Sequence, residues 1–180
     1  LCGRLFTCPG YLPLSRAELT VSMSAYADST ASVRRVVALR TASLGSLMRL
    51  ADGFFPESAS ILDAGCGHGQ VARWLARAAG REVVGVDSSE ARVRFAGGSG
   101  TPQNLRFECA TVLDYFSWET RSWDGFVFTD ALLYLAPDAQ RDILAEARKR
   151  AGAGAVMLIK DSIAEPAWKY HATRLEERVK

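Results

Sequence analysis

The chain has 180 residues, of which 48% are hydrophobic and 23% are charged, and its formal net charge is +2. A length near that of one average domain predicts a single hydrophobic core. The small net charge gives no basis for a nucleic-acid partner, and no stretch approaches the roughly 20 apolar residues of a membrane span.

Cysteine usage and the opening residues set the expected compartment and domain bounds. The 4 cysteines form no C-x-x-C pair and have no histidine at metal-ligand spacing. This predicts free thiols, a cytoplasmic location and no metal site. Arg4, Pro9 and Pro13 interrupt the opening stretch, so it lacks the apolar run of a signal peptide. We expect residues 1–22 to be a disordered or non-native leader and residues 23–180 to form one domain.

The remaining chain begins with a predicted helix from Ser29 or Thr30 to about Ala51 and then alternates between two patterns. Short apolar runs predict strands, and amphipathic runs predict helices. The predicted strands are SILDA (60–64), REVVGVD (81–87), LRFECA (105–110), DGFVFTD (124–130) and GAVMLIKD (154–161). The predicted helices are QVARWLARAA (70–79), SEARVRFA (89–96), PDAQRDILAEARKR (137–150) and a last one at about 163–179. This alternation favours a doubly wound, mostly parallel α/β sheet with helices on both faces.

The sequence DAGCGHG (63–69) ends the first predicted strand and leads into a helix, with glycines at 65, 67 and 69. Glycine allows positive φ angles and close approach of a ligand to the backbone. The N-terminus of the next helix suits a negative group. In open parallel sheets, ligands bind at the carboxyl ends of the strands. The loop therefore predicts a nucleotide-like ligand, either a dinucleotide or S-adenosylmethionine (SAM).

Two aspartates at strand ends help to choose between these ligands. An acid such as Asp63 at about 6 Å from a pyrophosphate would cost roughly 3 kcal/mol at an effective dielectric near 20. The same charge attracts the ammonium and sulfonium groups of SAM. Asp87 closes the second strand, 20 residues after Gly67, where a carboxylate can accept hydrogen bonds from both ribose hydroxyls of either ligand. A helix N-cap is the alternative role for Asp87.

Four stretches resemble the class I SAM-dependent methyltransferases: DAGCGHG, VVGVDSSE (83–90), WDGFVFTDALLYLAPDAQRDIL (123–144) and RAGAGAVMLIKDS (150–162). The first motif with its spaced aspartate is specific, whereas the later ones are generic. The resemblance covers roughly residues 30–165 and implies a Rossmann-like sheet of strand order 3-2-1-4-5 with SAM as cofactor. The residues after the fifth predicted strand are expected to be helical rather than to form the family's final strand hairpin. This favours a domain truncated at its C-terminus over a sheet that ends early with an exposed edge.

The resemblance also implies a set of cofactor contacts. The glycine loop would hold SAM, and Asp87 would bind the ribose. Thr129 and Asp130 would lie at the methyl end of the cofactor. The expected cofactor-binding residues are Asp63, Gly65, Cys66, Gly67, Gly69, Asp87, Ser88, Ala110, Thr111 and Thr129. The chain departs from the family pattern at the expected adenine site, near Ser88 and Ala110–Thr111. The third strand ends in Cys109-Ala110, where the family usually carries an acid, so Asp114 or backbone groups would have to substitute.

The expected catalytic residues follow the fourth strand. Methyl transfer from a sulfonium is an in-line displacement in which the protein mainly aligns the reactants, so some acceptors need no base. Asp130 is expected to orient the acceptor or act as base, with a helix cap as its alternative role. Tyr134 is expected near the acceptor, with simple packing as its alternative. The stretch LIKDSIAEPAWKY (158–170) resembles bacterial small-molecule methyltransferases and favours a lipid-like or secondary-metabolite acceptor.

Two other functions stay open at this point. An NAD-dependent oxidoreductase would use a similar loop, but Asp63 and the lack of a Tyr-x-x-x-Lys pair disfavour it. A catalytically inactive or truncated SAM-binding domain is the second alternative, supported by the missing hairpin. The sequence also leaves a homodimer open.

Overall fold

A long helix covers one face of a sheet. The computed structural model describes residues 14–161 except 25, 28 and 99. Two helices precede the sheet, α1 (Arg16–Ser24) and α2 (Ala31–Phe54). Leu44 and Met48 of α2 are buried and belong to the apolar core beneath the sheet. The three-to-four-residue spacing of such apolar positions is what gives this helix one buried stripe.

The helix α1 packs on α2 through an ion pair. Glu18 Oε2 lies 2.6 Å from Arg49 Nη2, and two Ser15 hydrogen bonds lower the pKa of the Glu18 carboxyl. The predicted leader, residues 1–22, overlaps α1. Its residues 1–13 lie outside the described part of the chain, so the assignment of a leader stays a prediction.

Five strands form one sheet: β1 (Ser60–Ala64), β2 (Glu82–Asp87), β3 (Leu105–Cys109), β4 (Trp123–Thr129) and β5 (Ala151–Lys160). Every pairing between them is parallel, and the order is β3-β2-β1-β4-β5. The predicted doubly wound fold and its strand order are confirmed. The winding direction changes between β1 and β4, so the connections after these strands diverge and leave a crevice at their carboxyl ends.

The connections between strands carry four more helices, α3 (Gln70–Leu75), α4 (Glu90–Ala96), α5 (Val112–Trp118) and α6 (Pro137–Lys149), and the short 3₁₀ helix Leu132–Tyr134. The sequence analysis missed α5. Its seven residues span fewer than two full turns, too few for a helical period to stand out. Thr111 caps it: the Asp114 N–H donates to Thr111 Oγ1 at 3.1 Å, and the Thr111 hydroxyl donates to Asp114 Oδ2 at 2.6 Å.

The sheet separates two apolar cores. Ile61, Val83 and Val127 belong to the core under α2 and α3, whereas Leu62 and Phe126 belong to the core under α5 and α6. Side chains alternate between the two faces along a strand, and both faces are covered. This arrangement explains why the strands read as unbroken apolar runs. It also places the strand-end residues alternately on the two faces.

The last predicted elements cannot be compared with the structure. The helix expected at about 163–179 lies outside the described residues, and so does the region where a final hairpin would be sought. The described chain ends at Asp161, one residue after β5.

Candidate functional site

A cleft of about 550 Å³ opens at the carboxyl ends of the strands. This is the position where open α/β sheets bind their ligands. Most of the residues singled out from the sequence line it, namely Gly65, Gly67, Asp87, Ser88, Ala110, Thr111, Thr129, Asp130 and Tyr134. The other three, Asp63, Cys66 and Gly69, are not among the lining residues.

The glycine loop presents bare backbone to the cleft at Gly67. This residue has a φ of 55°, and a Cβ built there would meet no heavy atom within 4 Å. The space in front of Gly67 is therefore open to a ligand. Gly69 differs, because a Cβ there would lie 2.7 Å from the Phe107 ring. Gly67 thus leaves room on the cleft side, and Gly69 leaves room for packing behind the loop.

Asp87 holds the loop and the following turn together. Its Oδ2 accepts a hydrogen bond from the Gly67 N–H and its Oδ1 accepts one from the Ser89 N–H, each at 2.9 Å. Ser89, not Asp87, caps α4, since the Ser89 side chain accepts from the Arg92 N–H. Asp87 lines the cleft, and each of its carboxylate oxygens has a second lone pair. It can therefore also accept hydrogen bonds from a ligand.

Asp63 lies behind the loop and is 1% exposed. Its Oδ2 accepts a hydrogen bond from the Ala72 N–H of α3 at 3.0 Å, and its Oδ1 makes no hydrogen bond within the described residues. Burial raises the pKa of Asp63 to about 7; the charge of Asp87 adds to this, while the Ala72 hydrogen bond and the charge of Arg40 oppose it. Asp63 is thus a buried acid whose charge varies near neutral pH.

Cys66 is also buried in the loop. Burial raises the pKa of its thiol well above the ordinary value, and the charges of Asp63 and Asp87 raise it further. A neutral thiol is a poor nucleophile. This environment disfavours a nucleophilic role for Cys66.

Ser88, Ala110 and Thr111 form the wall where the sequence predicts adenine. Asp114 does not line this wall. Its carboxylate accepts the Thr111 hydroxyl hydrogen bond at 2.6 Å, so it completes the cap of α5. The Ala110 N–H donates to the Asp87 carbonyl at 3.1 Å. In the structure the Asp114 carboxylate is engaged in the cap of α5 and is not part of the cleft lining.

The opposite end of the cleft, at the tips of β4 and β5, contains an ion pair. Lys160 Nζ lies 2.6 and 2.7 Å from the two Asp130 carboxylate oxygens, and Arg40 Nη2 lies 3.7 Å from Oδ2. The Asp130 N–H donates to the Lys160 carbonyl at 2.8 Å. The φ of Asp130 is 50°, a left-handed value that aspartate tolerates better than most residues. Its charge is balanced by side-chain cations.

The turn after β4 carries Tyr134, which lines the cleft and is 43% exposed. Asp161 holds this turn, because its Oδ2 accepts the Leu133 N–H at 2.9 Å. Thr129 lines the cleft beside Asp130, and its buried hydroxyl has no hydrogen-bond partner within the described residues.

The sequence analysis missed several residues of the cleft. Arg40 reaches it from α2 and Arg92 from α4, and Leu132, Leu135 and Ile143 add apolar surface. No local motif marks these positions, since each belongs to a helix or turn whose direction depends on tertiary packing. Within the described residues, no group of three or more His, Cys, Asp or Glu side chains could hold a metal ion. No described helix is long and apolar enough to cross a bilayer.

A family profile described as a methyltransferase domain matches residues 61–154. The chain belongs to this family. The match covers the glycine loop, the Asp87 turn and every lining residue of the cleft except Arg40, and it confirms the resemblance to class I SAM-dependent methyltransferases. The sequence matches none of the curated proteins with which it was compared.

Solved structures share the fold. A TehB-like SAM-dependent methyltransferase from Corynebacterium glutamicum is 25% identical, with a TM-score of 0.54 over 69% of this chain and 70% of that one. TehB from Haemophilus influenzae is 21% identical, with a TM-score of 0.56 over 66% and 41%. The magnesium protoporphyrin IX methyltransferase of Synechocystis PCC 6803, solved with bound SAM, is 22% identical, with a TM-score of 0.52 over 71% and 63%. The chain spans less than two thirds of the last two proteins.

Proposed function

We propose that this protein transfers a methyl group from SAM to a small-molecule acceptor. The observation that carries the proposal is the pairing of Gly67 with Asp87. The glycine leaves open space at the cleft, and the buried carboxylate fixes the Gly67 N–H at 2.9 Å while lining the same cleft. A nucleoside needs both features, namely close approach to backbone and an acceptor for its ribose hydroxyls.

The chain's own residues divide the cleft into two parts in this proposal. Asp87 would accept the ribose hydroxyls, and Ser88, Ala110 and Thr111 would flank the adenine. Thr129 would lie at the methyl end. SAM supplies the electrophilic methyl group. The contribution of the protein is alignment, which can supply on the order of 7–11 kcal/mol through the effective molarity of an oriented reactant.

Asp130 would orient the acceptor at the other end. Its carboxylate is held by Lys160 through two short contacts, so it is better placed to fix an acceptor group than to act as an unpaired base. Tyr134 would contact the acceptor from the rim. A base is dispensable where the acceptor is already nucleophilic. We therefore propose that the protein promotes methyl transfer mainly by positioning SAM and the acceptor.

The apolar wall supports an acceptor with hydrophobic character. Leu132, Leu135 and Ile143 line the cleft near Tyr134, and apolar walls with few polar groups are typical of small-molecule sites. This supports the lipid-like or secondary-metabolite class expected from the sequence. A panel of such acceptors with radiolabelled SAM tests it, and transfer confined to protein or nucleic-acid substrates would contradict it.

Isothermal titration calorimetry with SAM, S-adenosylhomocysteine and NAD tests the cofactor. We expect both SAM and its demethylated product to bind and NAD not to bind. Binding of NAD without SAM would overturn the proposal. Binding of SAM without turnover on any acceptor would favour the inactive SAM-binding domain.

We also propose a cytoplasmic location, supported by the free thiols of Cys66 and Cys109. A homodimer is compatible with the size of the chain. Light scattering after gel filtration measures the mass directly and decides between monomer and dimer.

A further inference from the structure

Tyr26 connects the segment between α1 and α2 to the glycine loop. Its side chain is 2% exposed, and its hydroxyl donates a hydrogen bond to the His68 carbonyl at 2.8 Å, across 42 residues of sequence. The Tyr26 ring stacks on Phe95 of α4 with centroids 5.5 Å apart. The Arg73 guanidinium of α3 lies 5.8 Å from the ring centroid. Tyr26 is therefore fixed by neighbouring elements and in turn fixes the loop.

The carbonyl that Tyr26 contacts belongs to His68, which lies between Gly67 and Gly69. Gly67, before it, donates its N–H to Asp87 at 2.9 Å. Gly69, after it, donates its N–H to the Cys66 carbonyl at 2.9 Å. Three consecutive residues are thus each held by a separate hydrogen bond. Of these three hydrogen bonds, the one donated by Tyr26 links the loop to the N-terminal segment of the described chain.

The Tyr26 phenol is suited to act as a permanent donor. Burial raises its pKa above the ordinary value, and the charge of Arg73 opposes this shift only in part. The phenol therefore keeps its proton throughout the pH range in which proteins usually function. A peptide group held by a constant donor cannot rotate freely, and flanking left-handed glycines would otherwise permit such rotation.

We infer that Tyr26 is a positioning residue for the cofactor, which holds the 67–69 backbone in its binding shape before SAM arrives. The inference rests on the proposed function. Its physical basis is preorganisation: a loop already fixed in the bound shape loses less conformational freedom on binding, so the affinity is higher. Tyr26 does not line the cleft and acts through the His68 peptide.

The variant Tyr26→Phe removes the donor and keeps the ring that stacks on Phe95. We expect it to raise the Kd for SAM about three- to tenfold, the range that loss of one hydrogen bond gives. The shifts of the Gly67 and Gly69 amide signals in ¹H–¹⁵N spectra of the ligand-free protein should change as the loop loosens. Calorimetry measures the Kd.

Tyr115→Phe is the matched control. Tyr115 is also 2% exposed, and its hydroxyl donates to Glu119 Oε2 at 3.3 Å on the face of the sheet that α5 covers. We expect its thermal stability to fall at least as much as that of Tyr26→Phe, since the variant also loses the hydrogen bond between the Tyr115 hydroxyl and Arg106. Its Kd for SAM should stay within about twofold of wild type, because the hydrogen bonds that it loses lie away from the loop.

The outcomes separate the inference from the proposed function. Wild-type protein that does not bind SAM overturns the proposed function. Wild-type protein that binds SAM, with Tyr26→Phe at the same Kd or Tyr115→Phe equally weakened, overturns the role of Tyr26. Amide exchange in the ligand-free wild type needs no variant: slow exchange at Gly69 supports a preformed loop, and exchange at the unfolded-chain rate overturns it.

Discussion

Aspartates stand at the carboxyl ends of parallel strands near both ends of the cleft, yet they contact different kinds of group. Around the glycine loop, Asp63 and Asp87 accept hydrogen bonds from backbone N–H groups. At the β4–β5 tips, Asp130 pairs with the Lys160 ammonium. The first end uses carboxylates to shape the backbone that receives a ligand. The second end pairs a carboxylate with side-chain cations, the Lys160 ammonium at 2.6 Å and the Arg40 guanidinium at 3.7 Å.

The variant Asp87→Ala is the strongest test of the difference between the two ends of the cleft. We expect the Kd for SAM to rise at least about tenfold, because two backbone N–H groups lose their acceptor and the ribose loses its partner. Calorimetry measures the change. An unaltered Kd would show that the ribose assignment is wrong.

Asp124→Ala is the matched control for that variant. The Asp124 Oδ2 accepts the Ser60 N–H at 2.8 Å and the Ser60 hydroxyl at 2.8 Å, but at the amino-terminal edge of β1 and β4. We expect a loss of stability of about 1 kcal/mol with SAM affinity retained. A weakened SAM affinity here would mean that stability alone explains the Asp87 result.

A methyl group at Gly67 is expected to have the next largest effect. Gly67→Ala places its Cβ in the open space of the cleft and requires a left-handed backbone at 55°. We expect a Kd for SAM about five- to tenfold higher, together with a strain of about 1–2 kcal/mol. Gly154→Ala meets equally open space at a φ of 79° and lies outside the cleft lining. The variant Gly154→Ala should therefore lose stability through the same backbone strain, but its Kd for SAM should not change.

The pH dependence of SAM binding probes Asp63. Its pKa is raised to about 7 by burial, so the carboxyl gains its charge as the pH rises through 7. The fixed positive charge of the SAM sulfonium favours the charged form, so binding should release a proton. The Kd should therefore fall about threefold from pH 6 to pH 8. Asp63→Asn should flatten this dependence, and an unchanged slope in that variant would assign the effect to another group.

Asp130→Asn is expected to have the smallest effect on the cofactor. Asparagine tolerates the left-handed backbone, and the ion pair is partly exposed, with 37% of the Lys160 side chain accessible. The free energy of unfolding should fall by less than about 1 kcal/mol, and the Kd for SAM should stay within about twofold, because the lost charge lies at the other end of the cleft. Chemical denaturation and calorimetry measure these quantities. A tenfold weaker affinity for SAM would mean that Asp130 also belongs to the cofactor site.

The doubly wound fold was predictable because alternating strands and helices fit few topologies, whereas the strand order came from the resemblance to the methyltransferase family, with the glycine loop marking the end of β1. The helix α5 could also have been found. Thr111 and Asp114 form a Thr-x-x-Asp capping pattern, which signals a helix start even where the helix is too short to show a period.

The contacts of the site were less accessible to sequence reasoning. Asp130 was singled out, but its pairing with Lys160 depends on β4 and β5 being neighbours in register. The hydrogen bond from Tyr26 to His68 joins segments that no local pattern connects. The inward direction of Asp63 follows from strand alternation, since Ile61 two residues earlier is buried on the same face.

The left-handed backbone at Asp130 limits how this end of the cleft can diversify. Among the standard residues, aspartate, asparagine and glycine adopt that conformation most readily. The backbone therefore restricts which residues position 130 can carry, independently of any role in the reaction. Tyr134 and Leu135 are exposed at the rim and have no such restriction. A library aimed at new acceptors should vary these two positions and keep 130 unchanged.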